Sequence, residues 1–257
     1  MKRISSRDNP QLKRLHALLG DARKQRREGR TVIEGAHLLA ACLDAGQRPE
    51  LLVLAEAAVA DAETTALRRR SGDVETWVLR DALFNELSAL AAPSGILARI
   101  VIPTPLPLAG DGDQLLLDAV QDAGNVGAML RSAAAAGVRE VLLGPGCAGA
   151  WTPRVLRAAQ GAHFHLAIHE RVDLAAHAGQ GGRRLLAAVA HDGEPLYDID
   201  LTAPLAWLFG NEGGGVAPQL EAQAAKRVTI PLHCASESLN VAAAAAVCLF
   251  EMRRQRR

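Results

Sequence analysis

Residues 117–133 join an apolar run to a polar turn and then to a stretch of helical character. Asn125 stands where a helix N-cap belongs, because its side-chain oxygen could accept hydrogen bonds from the first backbone N–H groups of a helix. Arg131 follows six residues later and would offer a planar set of N–H donors to an anionic ligand. A capped helix with a surface arginine explains the same residues, so this segment alone does not identify a site.

Residues 207–216 place a glycine-rich turn directly after an apolar run. Glycines occupy four of the six positions 210–215, and the other two are Asn211 and Glu212. Glycines allow a ligand to approach the backbone closely, and ligands of open α/β sheets bind at the carboxyl ends of the strands. These features favour a binding site over a flexible loop.

Residues 228–241 form a third polar segment. An apolar run stops at Pro231, a polar loop follows, and a helix is predicted to begin with Ser238 and Asn240 in its first turn. Both residue types are common helix caps, so a purely structural role would suffice for this segment too. The three segments become informative only in combination.

The chain divides at residues 103–113, where three prolines at alternate positions precede a stretch of Gly and Asp. Prolines so spaced exclude a helix, and Gly and Asp favour turns. We therefore predict an N-terminal domain at residues 1–102, a linker at 103–113 and a C-terminal domain at 114–257.

Apolar runs alternate with helical stretches in the C-terminal part, which predicts an α/β fold with a mostly parallel sheet and helices on both faces. The predicted strands are residues 114–120, 140–143, 163–168, 184–189, 205–209 and 228–232, and the last helix covers about 239–254. The N-terminal part is predicted to be a smaller α/β domain. In it, Asp8 or Asn9 caps a first helix that has Pro10 at its first position.

Basic residues are concentrated at the two ends of the chain, although the net charge is only +1. Residues 1–30 hold ten Lys and Arg against three Asp and Glu, and four of the last five residues are Arg. Such clusters fit either a polyanionic partner or solvated helix faces. No apolar run approaches the roughly 18 residues of a membrane span, and the N-terminus lacks a secretion signal, so we expect a cytoplasmic protein.

Two other patterns suggest competing chemistry. Residues 144–149 match the GxGxxG pattern of dinucleotide binding and would indicate a nicotinamide-dependent oxidoreductase, but Pro145 removes a backbone donor where a phosphate needs one. His163, His165 and His169 would share one face of a strand, yet no carboxylate or cysteine cluster joins them, so we expect no metal. The four cysteines form no CxxC pair, which predicts reduced thiols in or near the core.

Taken in order, the three polar segments resemble the SpoU/TrmH family of the SPOUT superfamily of RNA methyltransferases. That family carries Asn-x-Gly…Arg, then Gly-Asn-Glu-x-x-Gly, then Ile-Pro…Ser-Leu-Asn-Val. The matching stretches here lie at residues 125–131, 210–215 and 230–241. The N-terminal part, with Asn9-Pro10 and Ile33-Glu34-Gly35, resembles the family's RNA substrate-binding domain, which is built like a small ribosomal protein. The chain has Ala123 where the family usually has a proline, which should loosen that turn without removing a reactive group.

The resemblance implies a fold, a cofactor and partners. The expected fold includes a C-terminal trefoil knot, and the expected cofactor is S-adenosyl-L-methionine (AdoMet), bound by Gly210, Ile230 and Leu239 largely through main-chain atoms, with Leu208 and Ser238 nearby. The expected activity is methylation of a ribose 2′-hydroxyl in structured RNA, and the extra N-terminal domain favours rRNA over tRNA. The family implies a homodimer and neither metal nor membrane. A non-catalytic RNA-binding protein on the same fold stays an alternative.

The same resemblance assigns roles to residues. Arg131 is the family's proposed catalytic residue, but a guanidinium with a pKa above about 12 is a poor base. We expect it to act as a fixed cation that orients the nucleotide and stabilises alkoxide character. Glu212 or a bound water would accept the proton, with Asn125, Ser238 and Asn240 as polar residues that orient the substrate.

Overall fold

The computed structural model describes residues 1–90, 92–105, 107, 112–178, 182–233 and 238–257. The chain divides into two compact units. One comprises Met1–Thr104 with Trp151–Phe164, and the other comprises Pro105–Ala150 with His165–Arg257. Because the prolines and glycines of the expected linker are only partly described, the boundaries 102/103 and 113/114 stay a proposal.

The first unit is built on a five-stranded mixed sheet. Its strands are β1 (Lys2–Ile4), β2 (Arg30–Glu34), β3 (Leu51–Ala55), β4 (Glu75–Leu79) and β5 (Ile96–Val101), in the order β1-β4-β3-β5-β2, and β5 runs antiparallel to both neighbours. Its helices are α1 (Pro10–Gly20), α2 (Ala22–Glu28), α3 (Ala36–Asp44), α4 (Ala62–Ser71) and α5 (Asp81–Leu87).

Helix α1 begins where the sequence predicts. The side chain of Asn9, not that of Asp8, accepts hydrogen bonds from the backbone N–H groups of Gln11 and Leu12, and Pro10 is the first helical residue. Leucines at helical spacing bury one face of α1 against the sheet, namely Leu12, Leu15, Leu18 and Leu19. This face anchors the helix because burying a leucine contributes roughly 1.5–3 kcal/mol.

The segment Trp151–Phe164 belongs to the first unit although it follows the first strands of the second unit in sequence. Its helix, α7 (Pro153–Ala159), contacts β2, and the hydroxyl of Thr31 in β2 donates to the carbonyl oxygen of Trp151 at 2.8 Å. The chain therefore leaves the second unit after Ala150 and re-enters it at His165. The hydrophobic pattern of this segment would look the same if its helix packed on the parallel sheet of the second unit, so the sequence does not show which unit it joins.

The second unit is built on a seven-stranded parallel sheet. Its strands are β6 (Gln114–Leu117), β7 (Glu140–Leu143), β8 (Ala167–Glu170), β9 (Arg184–Ala188), β10 (Glu194–Pro195), β11 (Leu205–Phe209) and β12 (Lys226–Thr229), in the order β10-β12-β9-β11-β6-β7-β8. Its helices are α6 (Ala123–Ala136), α8 (Leu174–His177), α9 (Pro218–Glu221) and α10 (Val241–Gln255). The predicted α/β fold with a mostly parallel sheet is confirmed.

One predicted strand is wrong. Residues 163–168 do not form a single strand, because Ala162–His165 form a short 3₁₀ helix and β8 begins only at Ala167. Gly161 precedes this turn with φ +86°, a left-handed conformation that starts a tight turn and not an extended strand. His163 and His165 consequently do not share a strand face with His169.

Three of the four C-terminal arginines are held against the protein. Arg254 pairs with Glu251 through both guanidinium Nε and an Nη atom, at 2.7 and 2.8 Å. Arg256 pairs with Asp113, and Arg253 donates to the carbonyl of Ala136 at 3.3 Å. Arg253 and Arg256 thus hold the end of α10 against the second unit, whereas Arg254 pairs within its own helix.

The described cysteines are protonated thiols. Burial raises the pKa of Cys42 and Cys147 to about 11 and that of Cys248 to about 12. They carry no thiolate at neutral pH and cannot act as activated nucleophiles. Cys234 lies outside the described residues.

Candidate functional site

A cavity of about 560 Å³ lies at the carboxyl ends of β9, β11 and β12 in the second unit. This volume lies within the range of small-molecule binding sites, roughly 300–1,000 Å³. Its lining comes from three stretches that are distant in sequence, and it consists of residues 188–191, 209–213, 215, 228–230, 232, 238–241 and 244. The glycine turn and the start of α10 thus meet in one site.

The glycine turn is a closed loop in which Gly210 leaves no space for a side chain. Asn211 and Gly215 exchange two backbone hydrogen bonds of 2.9 Å each. A Cβ atom added to Gly210 would lie 2.0 Å from the carbonyl carbon of Gly215, far inside any contact that a side chain can make with backbone. The site therefore presents main-chain atoms to a ligand at this point.

Asn211 secures this loop and was not among the residues predicted from sequence. Its side-chain oxygen accepts from the N–H groups of Gly213 and Gly214, at 2.9 and 3.0 Å, and its amide donates to the carbonyl of Ala119 at 2.9 Å. Ala119 follows β6 with φ +51°, a left-handed conformation that costs a non-glycine residue free energy. The available signal was the position of Asn211 directly after Gly210, at the start of the glycine turn.

A chain of polar side chains joins the turn to helices α6 and α10. The Asn125 amide donates to Glu212 Oε1 at 3.0 Å, and the Asn240 amide donates to Asn125 Oδ1 at 2.9 Å. Glu212 also accepts from the backbone N–H groups of Gln121 and Asp122, at 3.2 and 3.1 Å. Three of the five predicted catalytic residues therefore form one continuous network.

The carboxylate of Glu212 is a weakened base in this network. Desolvation raises its pKa, but the hydrogen bonds from Asn125 and from backbone N–H groups outweigh that effect and hold the pKa below its ordinary value. Both carboxylate oxygens already accept hydrogen bonds from the protein. The geometry suits a group that fixes its neighbours better than one that removes a proton.

The predicted cofactor-binding residues divide into two groups. Gly210, Ile230, Ser238 and Leu239 all line the cavity. Leu208 does not line it, because its side chain is fully buried in the hydrophobic core beneath the turn. Ligand contact through the Leu208 side chain is therefore not supported, although the residue positions the strand that carries the turn.

Arg131 stands apart from the network. It lies in α6, it is exposed, and no other described residue forms a hydrogen bond or ion pair with it. Arg131 follows Asn125 by six residues of helix, so its side chain points in a different direction and starts about 9 Å further along the helix axis. Arg131 does not line the cavity, so within this chain it is available to a ligand that extends beyond the cavity.

The rival dinucleotide pattern at residues 144–149 does not form a phosphate cradle. The N–H groups of Gly144 and Ala148 donate to the carbonyls of Leu117 and Val120, each at 2.9 Å, so they are not free for a ligand. No described helix begins at this turn, since α7 starts at Pro153. In the part of the chain that the structure describes, no group of three His, Cys, Asp or Glu could hold a metal ion.

Two family models match the chain. The SpoU rRNA Methylase family matches residues 114–250, and the MRM3-like substrate binding domain matches residues 9–98. No helix among the described residues meets the length and hydropathy that crossing a membrane requires.

Relatives resemble the chain over nearly its whole length. A 23S rRNA (guanosine(2553)-2′-O)-methyltransferase of Bacillus subtilis is 34% identical, covering 98% of this chain and 100% of that protein. The structure of a TrmH-family protein from Porphyromonas gingivalis has 31% identity and a TM-score of 0.83 over 97% of this chain and 99% of that one. The SpoU methyltransferase AviRb from Streptomyces viridochromogenes, solved with AdoMet, has 26% identity and a TM-score of 0.85 over 96% of this chain and 98% of that one.

The glycine turn, the network that leads to α10 and both domain matches point the same way, and the expected family is confirmed. The chain belongs to the SpoU rRNA methylase family.

Proposed function

We propose that this protein transfers a methyl group from AdoMet to a ribose 2′-hydroxyl of rRNA. The observation that carries the proposal is the meeting of the glycine turn, the end of β12 and the start of α10 around one cavity, with the network of Glu212, Asn125 and Asn240 at its polar side. A non-catalytic RNA-binding role would require none of these features.

The cavity residues fit AdoMet. Bound there, AdoMet supplies an electrophilic methyl group. Gly210, Ile230 and Leu239 would hold it mainly through main-chain atoms, because Gly210 admits no side chain and the loop around it is fixed by Asn211. The lining combines apolar side chains, such as those of Ile230 and Leu239, with polar ones, and Ser238 adds a hydroxyl near the start of α10; this mixture suits a nucleoside and its polar substituents.

Arg131 acts on the RNA and not on the methyl donor. Its exposed guanidinium offers a planar fork of donors to a phosphate of the substrate nucleotide and a fixed positive charge for the alkoxide character that develops on the 2′-oxygen. Water accepts the hydroxyl proton, since the carboxylate of Glu212 is already engaged by the protein. Asn125, Ser238 and Asn240 orient the ribose.

The N-terminal unit attracts the RNA. Met1–Thr104 with Trp151–Phe164 contain 18 Lys and Arg against 13 Asp and Glu, whereas the second unit has 11 against 15. Part of the basic cluster in residues 1–30 is paired, for example Arg14 with Glu28 and Arg30 with Glu50. Arg23 and Arg27 on α2 are exposed and have no ion-pair partner among the described residues, so they are free for phosphate contacts.

Three further features belong to the same proposal: a homodimer, a trefoil knot and a cytoplasmic location. Helix α10 leaves Phe250 46% exposed, which gives a second copy an apolar side chain to cover. β9 and β11 lie between β12 and β6 in the sheet, and α10 packs against α6, the helix that follows β6; this order of elements fits a knotted fold. A cytoplasmic location would put the protein with its rRNA substrate.

The test uses purified protein, AdoMet carrying a labelled methyl group, and rRNA from cells that lack the protein. Mass-spectrometric mapping should find the label on one ribose 2′-oxygen. Label on a base, or binding of rRNA without any methyl transfer while AdoMet is bound, would contradict the proposal. The second outcome would instead identify a non-catalytic RNA-binding protein.

A further inference from the structure

The network beside the cavity has a direction, and that direction has a chemical consequence. A carboxylate only accepts hydrogen bonds, whereas an Asn side chain has one oxygen that accepts and one NH2 group that donates twice. Glu212 therefore fixes which end of Asn125 faces it. Its NH2 group must point to Glu212, and its oxygen must point to Asn240, as the distances of 3.0 and 2.9 Å describe.

Helix α10 fixes the same direction from the other end. The oxygen of Asn240 caps α10, accepting from the N–H groups of Ala242 and Ala243 at 2.9 and 3.2 Å. Its NH2 group is then the only part left to face Asn125. Two independent requirements, a carboxylate at one end and a helix cap at the other, agree on one arrangement.

The arrangement leaves a donor at the cavity. Asn240 lines the cavity and is exposed, and one of its two N–H bonds is used by Asn125. No other described residue accepts the second N–H. An N–H group so held can bind an oxygen that carries or gains negative charge, but it cannot remove a proton.

We propose that Glu212 is a positioning residue that sets the direction of the chain Glu212–Asn125–Asn240, so that Asn240 presents an N–H donor to the reacting ribose oxygen. This inference rests on the proposed methyl transfer and adds to it a role for each member of the chain. It distinguishes the network from a base relay, in which Glu212 would take the proton of the hydroxyl.

Exchanging the carboxylate of Glu212 and the amide of Asn125 separates these roles. In Glu212→Gln one carboxylate oxygen becomes an NH2 group that faces a backbone N–H of Gln121 or Asp122, and this clash displaces the side chain that holds Asn125. Asn125→Asp places two carboxylates face to face. Each single variant should therefore lose about 10²–10³-fold in kcat, the usual effect of losing one oriented donor. The double variant Glu212→Gln/Asn125→Asp rebuilds the chain in a new way. The introduced glutamine amide donates to the introduced aspartate, which still accepts from Asn240, and the glutamine oxygen still accepts from Gln121. The Asn240 donor is restored, while the N–H of Asp122 loses its acceptor, so the recovery is partial.

The double variant should therefore recover kcat at least tenfold over either single variant. If Glu212 were the base, the double variant would be no more active than Glu212→Gln, and that result would overturn the inference. Glu63→Gln on the exposed surface of α4 is the matched control for the loss of one carboxylate, and it should keep the wild-type rate. Thermal unfolding and AdoMet titration of every variant show whether it is folded and binds the methyl donor.

The pH profile of Asn125→Asp gives a second readout, which does not need the double variant to fold. Two facing carboxylates repel each other, which raises the pKa at which the pair takes up one proton. The protonated Asp side chain can then donate a hydrogen bond to Glu212, as the Asn125 amide does in the wild-type protein. Its kcat should rise at least tenfold between pH 8 and pH 5.5 relative to wild type, and a fall would overturn the inference. If the wild-type protein itself transfers no methyl group to ribose, that result contradicts the proposed function. It says nothing against the direction of the hydrogen-bond network.

Discussion

Replacing Gly210 by alanine tests whether the glycine turn is the methyl-donor site. The added Cβ atom would lie 2.0 Å from the carbonyl carbon, 2.1 Å from the oxygen of Gly215 and 2.2 Å from the backbone nitrogen of Val216. All three are backbone atoms, which cannot rotate away as a flexible side chain could. The backbone of Gly215 would have to move away by about 1 Å before its distance to the new Cβ atom reached the shortest value that packed atoms tolerate.

That displacement breaks the closure of the turn. Asn211 and Gly215 exchange two hydrogen bonds of 2.9 Å, and a shift of about 1 Å takes both beyond hydrogen-bond distance. Losing two such bonds costs about 2 kcal/mol, to which overpacking adds about 1–3 kcal/mol. If only the first amount appears as lost ligand affinity, the Kd for AdoMet rises about 30-fold.

Gly214→Ala is the matched control within the same turn. A Cβ at Gly214 would have Asn211 Oδ1 at 3.8 Å as its nearest neighbour, an ordinary contact, and Gly214 does not line the cavity. Isothermal titration with AdoMet should show near wild-type affinity for Gly214→Ala and at least a 30-fold weaker Kd for Gly210→Ala, with unfolding curves recorded for both. Equal affinities of the two variants would refute the placement of AdoMet in this turn.

Three further perturbations test separate parts of the structure. Glu251→Gln should lower the free energy of unfolding by about 0.5–1 kcal/mol in denaturant titrations, because it loses the ion pair with the exposed Arg254. Since this ion pair and the hydrogen bond of Gln255 depress the pKa of Glu251 from 4.5 to about 2, the contribution is complete above pH 4.5 and is lost as the pH falls toward 2, so wild type and variant should converge in acid. Arg131→Lys should reduce kcat at least tenfold with an unchanged Kd for AdoMet, and near wild-type turnover would disprove a role for the planar fork. Arg23→Gln with Arg27→Gln should weaken rRNA binding and reduce the slope of log K against log salt by up to about 2, and an unchanged slope would remove α2 from the RNA contact surface.

The sequence predicts the parts of this site that depend on local chemistry. The strand Leu205–Phe209 is apolar throughout and ends at the glycine turn as predicted. The helix predicted from about Leu239 begins at Val241 with Asn240 as its cap. Both follow from rules that act over a few residues, namely burial of an apolar run and satisfaction of the first N–H groups of a helix.

Features that depend on long-range packing are not visible in the sequence. The role of Asn211 depends on the carbonyl of Ala119, which is 92 residues away. The segment Trp151–Phe164 joins the first unit through a contact between Thr31 and Trp151, 120 residues apart. Helical periodicity shows that Arg131 points differently from Asn125, but what it faces depends on molecules outside this chain.

The distribution of charge gives a physical reason for two units. The first unit has an excess of five positive charges, and the second has an excess of four negative charges, so the near-neutral total hides an asymmetry. A phosphate backbone is attracted to the first and repelled by the second. A sulfonium donor, in contrast, carries a positive charge that an acidic unit tolerates well. The net charges of the two units therefore predict that nonspecific attraction of RNA comes mainly from the first unit, and that the second unit adds contacts at single basic residues, the role proposed above for Arg131.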